Sequence, residues 1–171
     1  MMNYKEAAAY WERKDSEAVH MEPGALLAEM EKFIGAHNTC ALATGCETLI
    51  RCTPIEYTYK DRKFWMLSEG GLKFQALEKN RKVCLAIYDS FEGFGRLAGM
   101  QVTGEAEMVE PWSEEYLNLL AFKKIDAQQL RKLSHLLYLI KVEPAQIDFL
   151  WSGFQKDGYD CRQSLRVENL K

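Results

Sequence analysis

The stretch Arg51–Lys73, RCTPIEYTYKDRKFWMLSEGGLK, decides the fold. It reads as two strands joined by a tight turn at Lys60-Asp61, then a Ser-Glu-Gly-Gly loop that opens a helix. β-branched and aromatic residues fill Thr48–Tyr59, and Lys63–Leu67 is a short buried strand. Pro54 cannot donate to a sheet ladder, so it marks an edge, a bulge or a place where something other than a strand meets the backbone. Leu72–Lys79 is predicted to be a short helix, with Lys73 in its first turn. A glycine loop feeding a helix start offers unpaired backbone N–H groups and the positive end of a helix dipole.

Strands extend to either side. Thr39–Thr44 is small and apolar, and Gly45 argues for a turn after it. Lys82–Tyr88 is a further strand. Leu97–Val109 alternates cleanly, with Met100, Val102, Ala106 and Met108 on one face and Gln101, Thr103, Glu105 and Glu107 on the other. Leu136–Val142 is a last long strand, continued by Ile147–Trp151 after a break at Pro144.

Helices flank this strand cluster. Residues 4–14 carry Tyr4, Ala7, Ala8 and Trp11 on one face. Pro23 suits a first helical position, Leu26, Leu27, Met30, Phe33 and Ile34 follow at helical spacing, and Gly35 fits the stop. Ser113 is a predicted N-cap with Glu114 and Glu115 behind it, and Asp126 with Gln129 forms a capping-box pattern, so two helices fill Ser113–Leu133. The tail after Gly153 is polar and weakly patterned. Clustered strands with inserted helices predict a mainly β fold with α decoration, an antiparallel barrel. The whole chain, 1–171, reads as one domain with two N-terminal helices, about 4–14 and 23–35.

Composition narrows the function. The net charge of −3 and the scattering of Lys and Arg among acids give no footprint for nucleic acid. No apolar run approaches the roughly 20 residues that span a bilayer, and the charged N-terminus is unlike a signal peptide. Five cysteines without a Cys-x-x-Cys pair read as small core residues in a reducing, cytoplasmic compartment. His20, His37 and His135 lie far apart and make no zinc motif. There is neither a Gly-x-Ser-x-Gly elbow nor a Rossmann glycine fingerprint.

Four side chains carry candidate chemistry. Arg51 shares a strand face with Leu49, Thr53, Ile55 and Tyr57. A charge there needs a partner, either a phosphate or a carboxylate such as Glu56 or Glu69, unless it is exposed. Lys73 opposes the helix dipole, a penalty that a bound phosphate reverses; otherwise it is a solvated lysine. Ser68 caps the helix or donates to the same phosphate. Gln101 presents an amide donor and acceptor, which suit a heterocycle edge, or is an exposed strand residue.

The order of RCTP, SEGGLKF, ALEKNRKVCLAI and GMQVTGEAEMVE resembles the pyridoxamine 5'-phosphate oxidase-like FMN-binding split barrels. The resemblance covers roughly Thr39–Glu110 and, weakly, Leu136–Trp151. It implies an antiparallel split β-barrel that pairs as a homodimer, with FMN across the interface. It implies phosphate contact by Arg51, Ser68 and Lys73, in a loop that also carries Glu69 and Gly70. It further implies ring contact by the backbone at Thr53, Pro54 and Ile55, and by Gln101 of the second subunit. True pyridoxamine phosphate oxidases end in a Trp-Gly stretch and an Arg-Leu-His-Asp-Arg type motif. The tail here, WSGFQKDGYDCRQSLRV, has no histidine. The nitroimidazole-reductase-like and flavin-reductase-like members are therefore nearer. The implied function is an FMN-dependent oxidoreductase of a small molecule. A noncatalytic flavin- or haem-binding dimer for storage or sensing is the alternative, and a barrel that has lost its cofactor is a third.

Overall fold

A computed structural model describes residues 3–170. Helices α1 (Tyr4–Ser16) and α2 (Pro23–Ala36) come first. Strands β1 (Thr39–Cys46), β2 (Leu49–Glu56), β3 (Thr58–Lys60) and β4 (Lys63–Ser68) follow, then α3 (Lys73–Lys79). Next are β5 (Lys82–Tyr88) and β6 (Ala98–Val109), then α4 (Glu114–Phe122) and α5 (Ala127–Leu130). Strands β7 (Tyr138–Trp151) and β8 (Arg162–Arg166) close the order. All pairings are antiparallel, in the order β2-β1-β5-β6-β7-β4-β3, with β8 also on β7.

The split lies in β7. One edge of this strand pairs with β6 along its length. The other edge pairs with β4 through Tyr138–Val142 and with β8 through Gln146–Leu150. Pro144 sits between these two segments. The expected break there is a register shift against Thr103/Gly104 rather than a strand end. A Cβ on Gly104 would stand 2.3 Å from the Glu143 carbonyl oxygen, so the bulge requires glycine.

The alternating apolar residues of the strands turn inward onto α2. Leu26, Leu27, Met30 and Ile34 of that helix pack with Leu42, Phe64, Leu85, Val102, Ile140 and Phe149 in one core. A second core lies on the opposite face of the sheet. There Tyr116, Leu119 and Leu120 of α4 cover Trp65, Val109 and Leu139. This second layer explains why Val109 is buried and Met108 exposed, the reverse of the simple alternation.

Several local expectations shift. Gly45 stays within β1, and the chain turns at Glu47, whose φ is 48°. The strand expected over Thr48–Tyr59 breaks at Tyr57, whose buried hydroxyl donates to the Ile34 carbonyl at 2.7 Å. The tight turn lies at Asp61-Arg62, not Lys60-Asp61. Both residues have positive φ, 54° and 57°, the signature of a type I′ hairpin closed by the Lys60–Lys63 pair. Gly35 lies inside α2, which runs on to Ala36. Ser113 and Asp126 cap as read, accepting from Tyr116 N at 3.3 Å and Gln128 N at 2.8 Å.

The tail is more ordered than its composition suggests. Gln163 and Leu165 of β8 point inward and are buried. The Gln163 amide donates to the Val19 carbonyl at 3.1 Å and accepts from Met21 N at 3.0 Å, fastening the segment before α2. Tyr4, Ala7 and Trp11 of the predicted α1 face are exposed, and the Ala8 side chain lies outside the described residues.

Candidate functional site

β4 ends at Ser68, and the chain passes through Gly70 (φ 128°) and Gly71 (φ 99°) into α3. Both dihedrals lie where side chains are strained, so the glycines are conformational requirements. Ser68 does not cap α3, whose N-cap position is Leu72 with no side-chain bond. Its hydroxyl instead lies 3.3 Å from Gly70 N and 3.4 Å from Gly70 O, bracing the loop two residues on. Glu69 points away from that loop to His135, 3.2 Å distant.

Lys73 is the unusual residue of the region. Its side chain is buried, 8% exposed, and is not the solvated lysine of the simplest sequence reading. Its ammonium donates to the Gly70 carbonyl and lies 5.1 Å from the Phe74 ring centre. Burial pushes its pKa below the ordinary lysine value. Among the described residues no carboxylate pairs with it, in contrast to buried Lys141, which Glu107 and Glu115 hold at 2.8 and 3.0 Å.

Arg51 lies on β2 opposite Thr44 of β1, with both side chains on one face. It is exposed and has no ion-pair partner among the described residues. The two carboxylates proposed for it are engaged elsewhere: Glu56 with Lys123 at 2.6 Å and Glu69 with His135. Thr44, beside it, is buried, and its hydroxyl lacks a hydrogen-bond partner among the described residues. Helix α3 packs against β1 and β2. Asn80 at its C-cap donates to the Gly45 carbonyl at 2.7 Å, so the C-terminal end of α3 lies beside the Thr44–Arg51 pair, while Lys73 opens the helix at its other end.

Thr53, Pro54 and Ile55 follow on the edge strand. Thr53 and Ile55 are half-buried. Pro54 is exposed on an edge, where its missing N–H costs no ladder bond. Gln101 is remote from Arg51 and Lys73 in sequence but aligned with Pro54 in the sheet. Pro54, Ala41, Ala86 and Gln101 are successive cross-strand partners on β2, β1, β5 and β6. The two alanines between Pro54 and Gln101 leave a bare strip about 14 Å wide at the usual strand spacing. Cys52 belongs to this outer face and is exposed, unlike Cys40, so it is not a core residue.

Sequence reading missed Thr44 and His135. Nothing in the local pattern separates Thr44 from an ordinary strand threonine. His135 reaches Glu69 only through the long excursion of α4 and α5. No group of three or more His, Cys, Asp or Glu side chains suited to a metal occurs among the described residues. No helix among them is long and apolar enough to cross a membrane.

Residues 26–151 match the family model described as pyridoxamine 5'-phosphate oxidase. The chain therefore belongs to the pyridoxamine 5'-phosphate oxidase-like family of FMN-binding split barrels. Solved structures share this fold at low identity. A Clostridium acetobutylicum protein related to general stress protein 26 is 12% identical, with 88% of this chain and 100% of that one covered and a TM-score of 0.62. An FAD-binding protein from Mesorhizobium loti is 17% identical, covering 70% and 90%, with a TM-score of 0.55. HutZ, the heme storage protein of Vibrio cholerae, is 18% identical, covering 68% and 88%, with a TM-score of 0.57. No curated protein matches at a significant level.

Proposed function

We propose that this protein is an FMN-dependent oxidoreductase of a small molecule, with the cofactor held where two copies of the chain meet. Lys73 carries the reading. A buried ammonium beside a carbonyl and an aromatic ring, with no carboxylate partner among the described residues, is costly, and a phosphate dianion is the counter-charge such a site calls for. Arg51, which has no carboxylate partner among the described residues and lies on a strand against which α3 packs, and the Ser68 hydroxyl add donors of the right kind. The partnerless Thr44 hydroxyl fits a site that a ligand completes.

Bound FMN would supply hydride and electron transfer; the chain binds and orients it. The bare alanine strip beside Pro54 suits a planar ring, and a Gln101 amide can meet its polar edge across the interface between copies. In the dimer proposed here, that glutamine comes from the second copy. An outer sheet face of alanines, Cys52, Pro54 and the exposed Ile50 favours burial against such a copy.

The test is FMN titration of cofactor-free protein. Lys73→Ala and Arg51→Ala should each weaken FMN by about 10- to 100-fold, the worth of a charge-assisted hydrogen bond. Riboflavin, which lacks the phosphate, should bind all three proteins alike. Two variants that bind FMN as wild type does would overturn the site. Bleaching of the bound flavin by NAD(P)H supports the enzyme and its absence the storage alternative. Light scattering should give twice the chain mass of 19.8 kDa.

A haem-binding dimer is a second reading. It is favoured by the His135 imidazole, half-exposed beside Glu69 at the edge of the glycine loop. A Soret band that shifts in His135→Ala would support it. A haem spectrum unchanged by that substitution would count against His135 as ligand.

A further inference from the structure

A cavity of about 420 Å³ opens on the outer face of β5, β6, β7 and β8. Its floor is low because Ala86 and Gly99 stand between larger neighbours. Gly99 pairs with Tyr88 on one side and Leu150 on the other, and Leu150 pairs in turn with Arg162. In the adjacent row Gln101 pairs with Asp148, and Asp148 with Ser164. Tyr88, Gln101, Asp148 and Arg162 form the walls.

The charges in these walls are not matched among the described residues. The Asp148 carboxylate accepts from Ser164 Oγ at 2.7 Å and from Gln146 Nε2 at 2.9 Å, both neutral donors. These bonds hold it in place without neutralising it. The Arg162 guanidinium lies 4.6 Å from the ring centre of Trp11. Neither group forms an ion pair among the described residues, although Asp148 and Arg162 are diagonal neighbours across β7 and β8. One small cavity therefore presents a fixed anion and a stacked cation, each without a counter-charge, beside an exposed tyrosine ring.

We infer that this cavity binds a small zwitterion, its ammonium on Asp148 and its carboxylate on Arg162. The guanidinium fork matches a carboxylate, and a carboxylate already oriented by two donors keeps lone pairs for an ammonium. Tyr88 covers the aliphatic part between them. Gln101, proposed above to meet the flavin ring, is a shared wall. As the substrate pocket of the oxidoreductase, the assignment rests on that reading; as a binding site, it is tested without flavin.

The experiment is calorimetric titration of the full chain with 4-aminobutyrate, butyrate and butylamine at low ionic strength. 4-Aminobutyrate should bind at least tenfold tighter than either half-molecule. Asp148→Asn should lower the affinity for 4-aminobutyrate and butylamine about tenfold and spare butyrate. Arg162→Gln should do the converse, and because Arg162 is exposed this variant keeps the test open if Asp148→Asn fails to fold. Equal binding of the three probes, or 4-aminobutyrate affinity unchanged in folded variants, overturns the inference. FMN titration of the same variants separates the two proposals. If the flavin reading alone fails, the probe pattern persists without FMN affinity. If this inference alone fails, FMN binds and the probe pattern is absent.

Discussion

The Lys73 ammonium donates to the carbonyl of Gly70, three residues earlier, and no acid among the described residues shares the contact. The cation is thus carried by the fold at a cost, and burial holds its pKa below the ordinary 10.5. Between the lowered folded value and 10.5 the unfolded chain binds more protons, so this residue's contribution to stability improves as pH rises through that window. Lys73→Met should stabilise the cofactor-free protein near neutral pH and remove that rise. Urea melts of both proteins from pH 7 to 10.5 check it; a variant less stable than wild type at pH 7 would show that the ammonium helps the apo fold.

Tyr57 joins the break between β2 and β3 to the end of α2. Its hydroxyl donates to the Ile34 carbonyl, and its own N–H to the Asn38 carbonyl at 2.8 Å. Tyr57→Phe keeps the ring and loses one buried hydrogen bond, so a loss of about 1 kcal/mol is expected. Chemical denaturation with an unchanged m-value is the measurement; a loss under a few tenths would mean that water replaces the bond.

Gly104 is irreplaceable at the β6–β7 bulge. A methyl group there would collide with the Glu143 carbonyl at 2.3 Å and crowd the Pro144 Cα at 3.1 Å. Gly104→Ala should cost roughly 3 kcal/mol, the upper range for overpacking against atoms that cannot yield. Gly95→Ala, where nothing lies within 4 Å, is the control and should change stability by no more than about 0.5 kcal/mol. Equal melting temperatures for the two variants would contradict the bulge geometry.

Burial pushes the Cys40 thiol up to about 12 from an ordinary 9.0. From pH 9 to 12 the folded state then holds a proton that the unfolded state has released. Stability should fall through that window at up to about 1.4 kcal/mol per pH unit. Cys40→Val should flatten this component of the alkaline limb, read as the difference between the two stability–pH curves. In wild type Cys40 should resist Ellman's reagent until the protein unfolds.

Much of the fold is legible in the chain because its signals are local. Alternation along β6, the caps at Ser113 and Asp126, Pro23 at the start of α2 and the glycines before α3 are decided within a few residues. Arg51, Ser68 and Lys73 could be singled out because charge and glycine stand out against a β-rich background. Tertiary structure alone decided the rest. Met108 turns out and Val109 in because α4 lays a second core on the sheet. Ser68 braces Gly70 rather than α3 because the chain turns twice through positive φ before the helix starts. The tail becomes β8 because Gln163 finds Val19 and Met21, residues more than 140 positions earlier in sequence. Lys73 is buried, Thr44 lacks a partner and Pro54 aligns with Gln101 for the same reason. Each depends on which strands become neighbours, and burial and pairing are properties of the packed sheet that no local pattern carries.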